Sequence, residues 1–359
     1  MKLDVNFVFF NWAKWSQFLN VQEYDIADVA PRIISNEDIW VFQAYWQLAT
    51  RGLKVTASSV PIPGRLNVVD GIGLVPKYFT PDLFCAGVRG DGHYPAFCQI
   101  VIHQNLIVHD NQPSIYVPQW SQPGIIPRDT GRRGVSTIGF LGHFGINLAP
   151  AFRDPSFATR LKQLGCDFVV RGMLTDRVRW NDYSDIDLVL AVRDIPPEHL
   201  LLKPVNKLTN AWIAGVPALM GPEPAVQAIT ENSLDYISVT QPADVYCALE
   251  EFTRNPDLYG KMVAHGQRRG TDFNDAAIAA RWMDAIERIR TEYGSWCKTS
   301  AANKRRDFER RLRSHHVHLL RHNQEVHASY ERMGFIKQWW TIRDEENKPV
   351  GNHILPSQT

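Results

Sequence analysis

Long apolar runs are missing from this chain of 359 residues: none approaches the ~18 residues that a membrane-spanning helix needs. The opening MKLDVNFVFFNW turns polar too soon for a signal peptide. Cysteine is scarce and scattered. Cys85, Cys98, Cys166, Cys247 and Cys297 are odd in number and far apart. They form no CxxC pair and no Cys/His cluster, so nothing points to zinc, and reduced thiols in a cytosolic setting are expected. Net charge is nearly absent too, +1 from 39 basic and 38 acidic residues. No global field therefore draws the molecule to nucleic acid or membrane. No repeat of solenoid period occurs. What is present is an ordinary apolar fraction, 44%, and eleven tryptophans. The length favours two domains, each with its own core. Indoles serve cores first and sugar-stacking surfaces second, and core packing is the expected use here.

Apolar patterning along the chain predicts an α/β protein. Val5 to Phe10 reads as a buried strand. Ser35 with Asp38 forms a capping box, and Ile39, Phe42, Tyr45, Trp46 and Ala49 follow at helical spacing before Gly52. Leu53 to Ser58 is the next strand, which completes a βαβ unit and implies a parallel sheet. Leu83 to Val88, Cys98 to Ile102 and Ser114 to Val117 are further strands. Between Gln119 and Gly134 the proline, glycine and arginine content marks an exposed linker. A second alternation follows, with strands at 135–141, 166–170, 187–192, 218–220 and 234–239 and helices at 157–164, 243–253, 256–265 and 276–293. Two doubly wound halves leave a cleft at the carboxyl ends of their strands, the usual ligand position. The expected domains are 1–130, 131–295 and a basic helical extension, 296–359. In that extension Phe308, Leu312, His315 and Leu319 keep helical spacing among arginines, Trp339-Trp340 follows, and the tail from Pro349 is expected to fray.

The segment KPVNKLTNAWIAGVPALMGPEPA, Lys203 to Ala225, carries the chemistry. Lys203 and Lys207 flank a loop that enters a helix, with Asn206 expected as its N-cap. Free amides at a helix start, beside two ammonium groups, suit a diphosphate. Asn210, one turn on, suits ribose hydroxyls. Gly215-Val216-Pro217 ends the helix and feeds the strand Ala218 to Met220. Glu223 stands at the next helix entrance, placed for sugar hydroxyls or simply for the helix dipole.

This segment resembles the donor-site region of GT-B-fold glycosyltransferases, whose pattern is a lysine- or glutamate-containing loop followed by E-A-x-A-x-G-x-P-V-I. The strand and glycine loop Ile138 to Gly145, the strand ending at Arg171-Gly172, and the stretch Tyr183 to Leu190 occur in the order usual for that donor half. The resemblance covers roughly residues 135 to 290 and, more weakly, the N-terminal half. It implies two Rossmann-like domains facing a cleft, a nucleotide-sugar donor held mainly by the C-terminal domain, no obligatory metal, and a terminal helix returning to the N-terminal domain. Gly142 and His143 in the glycine loop would border the donor. The sequence departs from the pattern at Asn210, where the family carries glutamate, and in the glycine loop, where His143 stands alone instead of a basic pair. Arg171, following a buried strand, would supply the missing cation from the cleft rim, unless it serves a structural salt bridge.

In the first half, Val88 to His93 ends a strand in a polar, glycine-rich loop, and Asp91 or His93 is the candidate general base for an acceptor hydroxyl. His103-Gln104-Asn105 forms a second polar rim. Asp185-Ile186-Asp187 imitates a DxD metal motif but begins a strand instead of ending one, so no metal is expected there. His318 and His322 have chelating spacing, yet arginines crowd them and no acidic partner lies one turn away, so a solvated basic helix is expected. The expectation is therefore a metal-independent, cofactor-free enzyme in the cytoplasm. It would move a sugar from a nucleotide-diphosphate donor to a carbohydrate or lipid-linked acceptor. The basic stretch 302–322 is a candidate peripheral contact for membrane or protein, with nucleic acid disfavoured. The rival readings are an epimerase or phosphorylase on the same scaffold and a non-catalytic binding protein that works through its basic helix.

Overall fold

The computed structural model describes residues 5–106, 113–172, 179–332, 335–336 and 355–356. Two parallel sheets with helices on their faces make up the body. The first has six strands: β1 (Val5–Val8), β2 (Val55–Ser58), β3 (Leu66–Asp70), β4 (Phe84–Arg89), β5 (Ile100–His103) and β6 (Ser114–Tyr116), in the order β2-β1-β3-β4-β5-β6. The second has five: β7 (Thr137–Leu141), β8 (Asp167–Arg171), β9 (Leu188–Ala191), β10 (Ala218–Met220) and β11 (Ile237–Ser238), in the order β11-β10-β9-β7-β8. Neighbouring strands run parallel in both. Each order reverses once, between β1 and β3 and between β7 and β9. Those reversals open crevices at the strands' carboxyl ends. This is the architecture of two Rossmann-like halves that the resemblance implied, with a long C-terminal helix added.

Local signals explain the first βαβ unit. The Asp38 carboxylate accepts from the Ser35 N–H at 2.8 Å while Ser35 Oγ accepts from the Asp38 N–H at 3.2 Å, so the expected capping box forms. The helix then runs through Gln43–Thr50, and Gly52, at φ 80°, turns the chain into β2. β3 was not anticipated. Its five residues are all buried, yet Asn67 and Asp70 make it look like a loop in sequence. Asn67 is buried because its Nδ2 donates to the carbonyls of Ile62, Arg65 and Phe84, each at 3.0 Å, so its amide stitches the strand to its surroundings.

The core of the first half combines Val5, Phe7, Phe42, Phe84 and Ile102 with Ile278, Trp282 and Ile289. Those last three belong to the helix Asp275–Cys297. The chain thus returns from the second half to cover the first sheet. Trp15, Trp40, Trp46, Trp120, Trp212 and Trp282 are buried, so core packing is the main use of the indoles. All five thiols are free, with Cys85, Cys98 and Cys166 buried. Among the described residues no helix is long and apolar enough to cross a membrane.

The connection between the halves differs from the expected exposed linker. Gln119 to Pro123 is buried, and only the stretch after it reaches solvent. Ser121 Oγ donates to Asp275 at 2.6 Å and its carbonyl accepts from Gln43 at 3.0 Å. Further on, Arg128 and Arg132 donate to Asp187, which is fully buried at the start of β9. Burial alone would raise the Asp187 pKa; Arg132, Arg128 and Ser136 hold it down at about 2. The other acid of the DxD imitation, Asp185, pairs with Arg171. Both carboxylates are therefore taken by arginines.

The C-terminal helix spans Ala301–Arg332. Phe308 packs against Phe97 with ring centroids 5.8 Å apart. Arg311, expected on the basic surface, is instead 2% exposed and donates to the Phe97 carbonyl at 2.6 Å. Trp339-Trp340 and most of the tail from Pro349 lie outside the described residues.

Candidate functional site

The cleft between the halves holds a cavity of about 190 Å³ at the carboxyl ends of β7 and β9. Several elements converge there. The helix Asn206–Ala214 begins at its edge and ends in Gly215, which takes the left-handed conformation at φ 71°. Asn206 is the first helical residue, and the preceding position is Val205, with no side-chain cap. The expected N-cap role for Asn206 is thus corrected. Its side chain lines the cavity instead. The first-turn amides lack intrahelical acceptors and favour negative charge nearby.

Lys207, in the first turn, reaches across to the Leu141 carbonyl at the end of β7 and lies over the Phe140 ring at 5.0 Å. Gly142 makes that reach possible. It adopts φ 148°, and a Cβ there would stand 2.6 Å from the Lys207 Nζ. Burial, reinforced by Arg193 and Lys203 and opposed by Glu223, pushes the Lys207 pKa down to about 7. Lys203 lies at the cavity mouth, its Nζ 2.6 Å from Asp91 Oδ2 across the cleft. Burial raises the Asp91 pKa, but the Lys203 ammonium and Arg193 outweigh it and the carboxyl stays below its ordinary range.

The third cation is Arg193, which the sequence reading missed. It follows β9 directly and lines the cavity. Both oxygens of Glu223 accept from its Nη1, and the two side chains are 1% and 4% exposed. Stripping one partner from such a buried pair costs about 3–5 kcal/mol. Glu223 therefore holds an arginine rather than facing the cavity. Arg171 was expected to follow a buried strand, but β8 is partly exposed along its length; it is Arg193 that follows a fully buried one, β9. Strand order decides between them. β8 is an edge strand, so Arg171 ends up pairing with Asp182 and Asp185 away from the cavity, whereas β9 lies next to β7 at the reversal.

Asn210 is 5% exposed and lines the cavity, but its Oδ1 already accepts from the Gln122 N–H at 3.1 Å. His143 also lines it, and burial lowers its pKa. His143 Nδ1, Asn147 Oδ1, Trp180 Nε1 and Arg193 Nε are buried with no hydrogen-bond partner among the described residues, and all four side chains border this cavity. Buried polar atoms are nearly always satisfied, so this ring of orphans marks a place for a polar occupant.

In the first half the expectations divide. Asp91 lines the cavity. His93 does not; it is 7% exposed and packs against His315 and His322 of the C-terminal helix. Gln104 and Asn105, expected as an open acceptor rim, clamp the other half. Gln104 donates to the Leu202 carbonyl, and Asn105 donates to the carbonyls of Leu201 and Lys203 at 2.8 and 3.1 Å. Among the described residues no cluster of three or more His, Cys, Asp or Glu side chains is arranged to hold a metal ion.

No family model matches the sequence, and no curated protein does. Among solved structures, the chain is similar to Anabaena HepE in complex with UDP, at 8% identity and a TM-score of 0.47, over 80% of this chain and 100% of that one. It is similar to the pneumococcal O-GlcNAc transferase GtfA in complex with UDP and GlcNAc, at 10% identity and a TM-score of 0.46, over 69% of this chain and 60% of that one. It is also similar to the GtfA/B complex, at 11% identity and a TM-score of 0.44, over 71% and 61% of the two chains. The chain thus spans about six tenths of the last two chains it matches.

Proposed function

We propose that the protein is a metal-independent glycosyltransferase that uses a nucleotide-diphosphate sugar. One observation carries the reading: three cations, Lys203, Lys207 and Arg193, converge with a helix N-terminus on one cavity at the strand-order reversal of the second sheet. In the reaction the bond from the anomeric carbon to the diphosphate breaks, and its electron pair leaves with the phosphate. Fixed cations stabilise that charge where a divalent metal otherwise would. Asn206, Asn210, Gly142 and His143 border the nucleotide and sugar. Arg171 and His93 take no part in this proposal, and Glu223 acts by positioning Arg193.

The acceptor hydroxyl attacks the anomeric carbon and gives its proton to Asp91. In the structure Lys203 keeps Asp91 ionised and occupied. A donor diphosphate would draw Lys203 away and leave the Asp91 carboxylate free to take the acceptor's proton. Donor binding thereby prepares the base. The acceptor is a carbohydrate or lipid-linked hydroxyl. The domain division at about residue 130 is kept, with helix Asp275–Cys297 assigned by its packing to the first half.

Lys207→Ala is expected to cut transfer at least tenfold and to weaken UDP binding in calorimetry, with the far-UV spectrum unchanged. Wild-type affinity and turnover in that variant would end this reading. The outer face of helix 302–322 carries Arg305 and Arg310 together with the exposed Val317 and Leu320. It is proposed as a peripheral contact to anionic lipid. Co-sedimentation with phosphatidylserine vesicles that vanishes in Val317→Ser with Leu320→Ser would support it; no sedimentation by wild type would exclude it.

A further inference from the structure

A second cavity, of about 340 Å³, opens at the far end of the first sheet. Phe84 and Ile100, the first residues of β4 and β5, border it, as does Pro113 just before β6. The cleft meets the same sheet at its other end, where Asp91 follows β4. A strand advances about 3.3 Å per residue, so about 16 Å of β4 separates the two places. One wall of this cavity is the end of the helix Asp275–Cys297, with Glu292, Ser295 and Trp296. Another is the C-terminal helix, with Asp307, Arg310 and Arg311. The volume falls in the range of about 300–1,000 Å³ usual for ligand pockets.

Its polar lining is incomplete. Arg311 is buried; its Nη1 donates to the Phe97 carbonyl and its Nε lies 2.8 Å from Asp307 Oδ2. Its Nη2 has no hydrogen-bond partner among the described residues. Burial lowers the Arg311 pKa, and Asp307 opposes that fall without cancelling it. Asp307 is also shared, with its Oδ1 2.6 Å from Arg310 Nη2. Trp296 Nε1 is the second orphan donor. The indole is held in place: Lys304 Nζ lies 3.8 Å from its ring centroid, Tyr293 stacks at 5.8 Å and Phe84 meets it edge-on at 5.5 Å. Guanidinium and indole nitrogens only donate, so what is missing is an acceptor oxygen. Gln99 cannot supply it, because its Oε1 accepts from the Cys85 N–H and its Nε2 donates to the Leu83 carbonyl.

Charge decides which acceptor fits. Arg310 and Arg311 border the cavity together with two carboxylates, Asp307 and Glu292. A phosphate would meet both acids as well as the arginines. A hydroxyl accepts from an N–H and donates to a carboxylate, so a polyhydroxyl ligand satisfies both signs at once. The apolar faces of a sugar ring suit Phe84, Ile100 and Pro113. We propose that this cavity is a carbohydrate site remote from the cleft, taking a neutral oligosaccharide through hydroxyls that meet Arg311, Trp296 and Asp307. The site goes beyond the transfer reaction and does not depend on the donor.

The full chain, labelled with ¹⁵N at its indoles, gives a direct reading by NMR. The resonance absent from Trp296→Phe identifies the Trp296 N–H. Maltotetraose, cellotetraose, chitotetraose and inorganic phosphate are titrated separately. At least one of the sugars is expected to shift that resonance saturably, and phosphate to leave it in place. Arg311→Lys keeps the charge but loses the fork of donors, and should weaken the sugar titration about fivefold. Ser295→Phe, a change at an exposed position, fills the mouth without touching the buried groups. It should abolish the shift while UDP affinity in calorimetry stays at the wild-type value, which reads the cleft separately. A Trp296 resonance that no sugar moves would overturn the proposal. So would a response to phosphate in place of sugar, undiminished sugar binding in Arg311→Lys, or a shift that persists in Ser295→Phe.

Discussion

Lys207 lies among two other cations, beneath a glycine that leaves it room, with burial pressing it toward neutrality at a pKa of about 7. An arriving diphosphate supplies the missing negative charge and raises that pKa. The bound state then holds more protons than the free state. Affinity is therefore complete below pH 7 and falls as pH rises from 7 toward the bound-state pKa, by up to about tenfold per pH unit. Titration calorimetry of UDP at pH 6.5, 7.5 and 8.5 is expected to show this decline. Lys207→Arg, charged throughout, should flatten it. A wild-type affinity that did not change over that range would show that this ammonium does not meet the phosphates. Glu223 has a quieter part. By neutralising Arg193 it lets a third cation occupy the cavity wall without forcing Lys207 still lower, which is the direction its charge exerts.

At the scale of elements, the legible parts were those whose physics is local. The capping box at Ser35, the left-handed Gly52 and Gly215, and the apolar runs at β7, β9 and β10 each dictate their structure within a few residues. β3 was hidden because its polar residues are satisfied from afar, Asn67 by carbonyls on either side of it. The lysine segment was found because a loop entering a helix announces an anion site by itself. Arg193 was not, because the choice between it and Arg171 depends on strand order, and order is set by which helices cross which face. The buried Arg311 shows the same limit: the charge run was visible, but which face of the helix meets Phe97 was not. Gln104 and Asn105 look like an acceptor rim in sequence and bind a loop nearly a hundred residues away, a pairing no window of sequence contains.

Across the whole molecule, the cavity is too small for its proposed ligand. Ligand pockets for molecules of such size usually run to about 300–1,000 Å³, and this one measures about 190 Å³. Several contacts across the cleft narrow it. Asp91 pairs with Lys203, while Gln104 and Asn105 grip the carbonyls of 201–203. The Asp91 side chain keeps 38% of its surface exposed, so its ion pair belongs with solvated ones, worth up to about 1 kcal/mol. With hydrogen bonds at about 1 kcal/mol each, the latch amounts to about 3–4 kcal/mol. That is small enough for a diphosphate to break by taking Lys203. Removing it without ligand should open the cleft. The variant Asp91→Asn with Gln104→Ala and Asn105→Ala is expected to show a larger radius of gyration in small-angle scattering than wild type, and faster association of UDP in stopped flow. Both follow from one cause, so they must appear together. Scattering that superimposes on wild type, or an unchanged association rate despite a wider cleft, would mean that these side chains do not control entry.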